Sequence, residues 1–389
     1  MGKKAATNEV IDGLISALRD VDAGVGWRAC QALEKMGEKA ATNEVINGLI
    51  NALRNVHADV RWRACKALGE MGEKAATDEV INGLVNALRD VDVYVRRNAC
   101  QALRKVGEKA ALNGVINGLV NALRDVHADV RWEACGALGK MGEKAATNEV
   151  INGLVNALRD VDAGVRWDAC EALGKMGEKA ATNEVINGLV KVLRDIDVYV
   201  RRYACEALGN VGEKAATNEV INGVVNALRD VDAGVRRRIY EVLKRIGEKA
   251  ATNEVINGLV NALRDVDAGV GWRAWQALGE MREKAATNEV INGLINALRD
   301  TDADVRRCAC EALRRMGEKA ATNKVINEHI NALLDVNAGV GWRAWQALEK
   351  MGEKAATNEV INGLVNALWD ADADVRRCAY EALGIMVEK

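Results

Sequence analysis

Residues 142–176 read GEKAATNEVINGLVNALRDVDAGVRWDACEALGKM, and the spacing of the apolar residues in this stretch decides the fold. Val150, Ile151, Leu154, Val155 and Leu158 recur at the three-to-four-residue interval of a helix and make one apolar stripe. Thr147, just ahead of them, is placed to cap the helix, and Glu149 sits in the first turn, where a negative charge suits the helix dipole. Asp160-Val161-Asp162 interrupts the stripe. Asp162 then caps a second helix, whose stripe is Val165, Ala169, Ala172, Leu173 and Met176, and Gly177 stands where a helix-ending glycine belongs. The stretch therefore predicts two helices of roughly 12 to 14 residues joined by a tight turn.

The same pattern runs through the whole chain. Copies of GEKAATNEVI or a close variant begin at Gly2, Gly37, Gly72, Gly107, Gly142, Gly177, Gly212, Gly247, Arg282, Gly317 and Gly352, always 35 residues apart. A two-helix hairpin of this size cannot cover both of its stripes, whereas neighbours stacked in a row bury them continuously. The expectation is an all-α fold, an α–α superhelix of eleven 35-residue repeats forming one domain over residues 1–389. Composition agrees: there is no proline and a single serine, Ser16, so the residues that usually build linkers are missing. Apolar residues at 49% suffice for a core and charged residues at 28% suffice to solvate it. No apolar run reaches the length of a membrane span, and Met1-Gly2-Lys3-Lys4 leads straight into repeat sequence without a signal-peptide segment. Gly153 and its counterparts occupy first-helix interiors in ten of eleven repeats, with Glu328 the exception. Glycine there costs about 1 kcal/mol against alanine, so a close approach of neighbouring first helices is expected to compensate.

The second-helix stretch at 160–176, DVDAGVRWDACEALGKM, resembles the HEAT-repeat signature D-x-D-x-x-V-R-x-x-A-x-x-A-L-G followed by an apolar residue. The resemblance recurs in phase eleven times and covers essentially the whole chain. It implies hydrogen-bonded ladders between repeats, built from the Asp that closes the first helix and the Arg of the second. These two positions map to Asp160 and Arg166, to Asp90 and Arg96, and to Asp125 and Arg131, for instance. Gly26, Gly271 and Gly341 replace the Arg in three repeats, so the ladder should break there. The resemblance also implies that second helices line the concave side.

On a helical wheel with Val165 at the core, Trp167 and Gly174 point away and Cys170 lies on a flank. The counterparts of Trp167 are Trp27, Trp62, Arg97, Trp132, Trp167, Arg202, Arg237, Trp272, Arg307, Trp342 and Arg377, every one Trp or Arg. Both types are favoured at binding hot spots. Summed over the positions of Trp167, Asp168, Glu171, Gly174 and Lys175, this face carries +10 in a chain of net charge −2. Asp59, Asp129, Asp304 and Asp374 temper it. A basic, aromatic-studded face suits an acidic protein or peptide. The expected function is a non-enzymatic scaffold or recognition protein that binds a partner along the second helices. The alternative is a nucleic-acid-binding solenoid, since Arg and Trp also meet phosphates and stack on bases. Drift on a tolerant surface position, or indoles lying flat across a neighbouring helix, accounts equally for a Trp/Arg row. Trp369, Ile385 and Val387 leave the last repeat without a polar cap, which would allow self-association there.

No catalytic or cofactor chemistry is expected. Cys30, Cys65, Cys100, Cys135, Cys170 and Cys205 recur at one position per repeat, with Cα atoms about 10 Å apart, beyond disulfide reach. Tyr240, Trp275, Cys310, Trp345 and Tyr380 hold the same position later, so it reads as semi-buried filler. Free thiols in this number point to a cytoplasmic protein. His57, His127 and His329 do not cluster, so they build no metal site. Enzymes of the resembled family that hold iron use His-Glu pairs, and this chain offers only the reversed Glu328-His329.

Overall fold

The structure, a computed structural model, describes residues 8–262, 267–370 and 373–388. Among them every regular element is a helix, and the hairpins follow one another in tandem. The chain groups into two compact units, Met1–Val211 and Gly212–Lys389. Each unit is a row of hairpins whose first helices pack on first helices and second helices on second helices.

Repeat five shows how the sequence makes the unit. Its first helix is Asn148–Ala157 and its second is Ala163–Met176. Thr147 caps the first, its hydroxyl accepting the Val150 N–H at 3.3 Å, and Asp162 caps the second, accepting the Val165 N–H at 3.0 Å. The first helix is ten residues long, shorter than the stripe implies. Its last apolar residue, Leu158, sits in the terminal turn and is still 99% buried. The repeat then leaves the second helix through Gly177 at φ +55° into a short 3-10 turn, Gly177–Ala180. That turn occupies the stretch the sequence reading left as a plain connector. Ala180 is fully buried, so the turn belongs to the core.

Repeat nine breaks this rule. Arg282 takes the glycine position and is forced to φ +49°, the one non-glycine residue with positive φ among those described. A side chain held in so sparsely populated a backbone conformation costs roughly 1–3 kcal/mol. Arg282→Gly is therefore expected to raise the melting midpoint of the second unit by a few degrees in calorimetry.

The first-helix glycines answer to the neighbouring repeat. A Cβ on Gly153 would lie 2.7 Å from Leu123 Cδ1 of the preceding hairpin, and Gly48, Gly83, Gly118, Gly188 and Gly258 meet the equivalent leucine at 2.7–2.9 Å. Gly13, in the first repeat, meets nothing within 4 Å. The expected close approach is real, and it is made by a leucine tip rather than by backbone. Glu328, the exception, turns its carboxylate to Arg299, which donates from Nε at 3.0 Å.

Beside Glu328, His329 replaces the core leucine of other repeats and is fully buried. Its Nδ1 lies 2.9 Å from the Val325 carbonyl, and its Nε2 has no partner. Burial pushes the imidazole pKa down to about 4. A base whose folded pKa lies below its unfolded value of 6.5 keeps full stability above pH 6.5 and loses it as pH falls toward 4. His329→Leu should remove that loss, and the gap between variant and wild type in denaturant melts should widen from pH 7 to pH 5.

A ladder between repeats forms, but each Arg pairs with the carboxylate of the next repeat's Asp and meets only the backbone carbonyl of its own, so Arg166 pairs with Asp195 and not with Asp160. Arg131 donates to both carboxylate oxygens of Asp160 in the next repeat, at 2.6 and 2.7 Å, and to the carbonyls of Asp125 and Val126 in its own turn. Arg61–Asp90, Arg96–Asp125, Arg166–Asp195 and Arg306–Asp335 repeat the arrangement. Burial alone would raise the Asp160 pKa, but the Arg131 hydrogen bonds and the Asp162 N–H outweigh it and hold the carboxyl below its ordinary range. Each rung therefore ties a turn to the next repeat.

Candidate functional site

The second helices carry the Trp/Arg row, and the structure divides its members. In the first unit Trp27, Trp62, Arg97, Trp132, Trp167 and Arg202 are all half-buried. In the second unit Trp272 and Trp342 are half-buried, while Arg237, Arg307 and Arg377 are exposed. Trp27 and Trp167 are each covered on one side by the residue that follows the row position in the next repeat. Arg63 lies over the rings of both Trp27, at 4.6 Å, and Trp62, at 4.2 Å. Its guanidinium is held there by Glu34 at 2.7 Å, which also takes Lys66. Tyr203 stacks on Trp167 with centroids 5.1 Å apart, and Trp167 meets Trp132 at 6.3 Å. The row thus packs along itself and keeps one side toward solvent.

Two expectations about this face need correction. Gly174 does not look outward. It is buried, and a Cβ there would lie 3.1 Å from Ala207 Cα of the next second helix. Gly69, Gly139 and Gly279 meet Ala102, Ala172 and Ala312 in the same way. The helical wheel sees only a repeat's own core, whereas the next second helix covers this side too. Asp168 and its counterpart Glu133 are also buried, 1% and 2% exposed, so they add no charge to the surface. Burial first, and then the nearby Glu171 and Glu133, push the Asp168 pKa up to about 8 against the opposing pull of Arg104. The shift favours the neutral acid. The face is more basic than the residue count implied.

The cysteines are buried more completely than the sequence suggested. Cys30, Cys65, Cys100, Cys135, Cys170, Cys205 and Cys310 are 0% exposed, and Cys308 alone of those described is half-buried. Burial pushes the Cys30 thiol up to about 12 and the others higher still or comparably. These thiols are packing groups, with none of the thiolate character that reactivity needs. Among the described residues no group of three or more His, Cys, Asp or Glu side chains could hold a metal ion, and no helix is long and apolar enough to cross a membrane.

On the row itself, between repeats two and three, lies a depression of about 420 Å³ lined by Asp59, Trp62, Lys66, Tyr94, Arg97 and Gln101. Trp62 donates its indole N–H to Asp59 at 3.1 Å, which fixes the ring. Tyr94 is 59% exposed. The sequence reading did not single out Tyr94. Its signal was present in the VYVRR variant of repeats three and six, which places Tyr94 and Tyr199 one turn ahead of the row.

Tandem helical hairpins stacked through buried stripes and an Asp–Arg ladder define a helical-repeat solenoid protein. The family of the adaptin N-terminal region matches residues 10–285, and HEAT repeats match residues 256–327 and 291–384. The chain belongs to the HEAT-repeat α-solenoids, within the family described by the adaptin N-terminal region. No curated protein matches it in sequence. Among solved structures it is similar to an engineered protein, at 21% identity and TM-score 0.58, covering 96% of this chain and 98% of that one. It is also similar to importin beta, at 17% identity and TM-score 0.65, covering 98% of this chain and 60% of that one. Kap121p bound to Nup53p shares 14% identity at TM-score 0.57, over 99% of this chain and 46% of that one. The chain thus spans about half to three fifths of these last two proteins, and the likeness is one of fold.

Proposed function

We propose that this chain is a non-enzymatic scaffold or recognition protein, found in the cytoplasm, that binds an acidic protein or peptide segment along its second-helix face. One observation carries the reading: the depression between repeats two and three, where Trp62, Tyr94, Lys66 and Arg97 put aromatic surface and positive charge together on the row. Large rings with a polar handle supply contact area at little entropic cost, and the basic side chains choose an acidic partner. The burial of Glu133 and Asp168 supports the same sign of charge. The structure of Kap121p with Nup53p is a case of a similar fold holding another protein.

The test is affinity capture with wild type, with Trp27, Trp62, Trp132 and Trp167 changed to Ala, and with Arg97→Glu. Arg97→Glu covers the case in which the indole variant loses its packing. Partners retained by wild type should drop at least tenfold with both variants. Equal recovery would contradict the reading. Retention of single-stranded nucleic acid that falls steeply with salt would select nucleic acid as the occupant instead. Self-association through the last repeat rests on Trp369, which is 85% exposed. Ile385 is undescribed in its side chain, as is Val387. A monomer by light scattering at micromolar concentration would remove it.

A further inference from the structure

Three repeats lack the ladder arginine, and they deal with the loss differently. After Gly26 the position of the acidic partner holds Asn55, so no carboxylate is left over. At Gly341 the backbone is tight, since a Cβ there would lie 2.9 Å from the Leu333 carbonyl oxygen. Repeat eight keeps the carboxylate, and a cavity lies beside it. Gly271 stands where Arg131 and Arg166 stand elsewhere, and Asp300 stands where Asp160 and Asp195 receive them. Asp300 still accepts the Asp302 N–H at 2.9 Å, as its counterparts do. No ion pair reaches it among the described residues, and it is exposed where its counterparts are half-buried.

In front of Asp300 opens a cavity of about 620 Å³, within the second unit. Gly271 forms part of its wall, with Trp272, Trp275, Glu289, Asp300 and Asp302. Three carboxylates and two indoles line it, the remaining described polar lining is asparagine amide, and no described lining residue is basic. Trp275 lies one helical turn beyond Gly271 and replaces the cysteine of other repeats, so arginine and cysteine have become glycine and tryptophan together. It is 5% exposed, a fixed wall. The neighbouring arginines are committed elsewhere: Arg299 pairs with Glu328 and Arg306 with Asp335.

We propose that this cavity is a guanidinium site, which takes an arginine side chain presented by a partner protein or peptide. A planar guanidinium gives two parallel hydrogen bonds to a carboxylate and stacks on an indole, whereas an ammonium is a point charge that does neither as well. The rest of this chain displays the first half of that geometry, since each intact rung seats a guanidinium on the equivalent aspartate through Nε and Nη2. The volume lies in the range of ligand pockets, about 300–1,000 Å³. The site is built from turn and ladder positions and does not depend on the indoles of the first unit.

The probe is N-acetyl-L-arginine amide, titrated calorimetrically into the whole protein, with N-acetyl-L-lysine amide and free L-arginine in parallel. The blocked arginine should bind at least tenfold tighter than the blocked lysine and no more weakly than free arginine. Asp300→Asn should weaken it at least tenfold, and Gly271→Arg, which fills the site from within the chain, should abolish it. Asp300→Asn keeps the test alive if Gly271→Arg fails to fold. Equal binding of the two blocked amino acids, binding unchanged in Asp300→Asn, or no heat with any probe would overturn the proposal. Free arginine bound more tightly than the blocked form would overturn the partner-borne source.

Discussion

Arg131→Ala is expected to destabilise the first unit by about 3–5 kcal/mol, the range for removing one member of a well-buried ion pair. The side chains of Arg131 and Asp160 are only 13% and 12% exposed, so solvent screens the pair little. The loss has two parts. Asp160 keeps the Asp162 N–H but loses two guanidinium donors, and the carbonyls of Asp125 and Val126 lose the donor that closes their turn. Arg131→Lys restores the charge but not the fork, and should recover less than half. Removing Asp160 as well should cost less than the sum of the two single changes. The pH dependence follows from the sign of the shift. The Asp160 carboxyl titrates below its ordinary value, so its contribution is complete above about pH 4 and fades as pH falls further. The difference between wild type and Arg131→Ala in urea melts should shrink below that pH.

Gly139→Leu should be nearly as damaging, by about 2–3 kcal/mol, for a different reason. A Cβ at Gly139 would lie 2.9 Å from Ala172 Cα and 3.1 Å from Ala172 Cβ. Ala172 presents backbone there, so the two second helices must move apart, and overpacking of this kind costs 1–3 kcal/mol or more. Helix propensity returns about 1 kcal/mol at best. Gly13→Ala is the control, since nothing lies within 4 Å of its Cβ position, and it should be neutral or stabilising. Other repeats place Glu34, Arg104, Lys244 or Arg314 at the Gly139 position.

Much of this was legible before any coordinates. The period of 35, the Thr147 and Asp162 caps and the glycine after Met176 follow from local rules, because each depends on one repeat or on the next copy of it, while the Asp–Arg ladder was implied by the family resemblance. What escaped the sequence was set by contacts from two neighbours at once. Gly174 looks outward on a wheel drawn for a single helix, yet the following second helix covers it, and Asp168, counted in the charge of the face, is buried as well. The first helix ends one residue short of its stripe, although Leu158 keeps helical backbone and donates to the Leu154 carbonyl at 3.0 Å. The cavity of repeat eight was half legible. Gly271 signalled a broken rung, but only the structure shows that Asp300, unlike Asn55 at the same position, lines an open cavity.

All of these readings depend on hairpins that are unstable alone and are held by their neighbours. Far-UV circular dichroism of the isolated segment 142–176, set beside residues 107–211, tests this most directly. The single repeat should be largely unfolded and melt without cooperativity, while three repeats together should be helical and melt in one transition. A lone 35-residue segment with full helicity and a sharp melt would contradict the account.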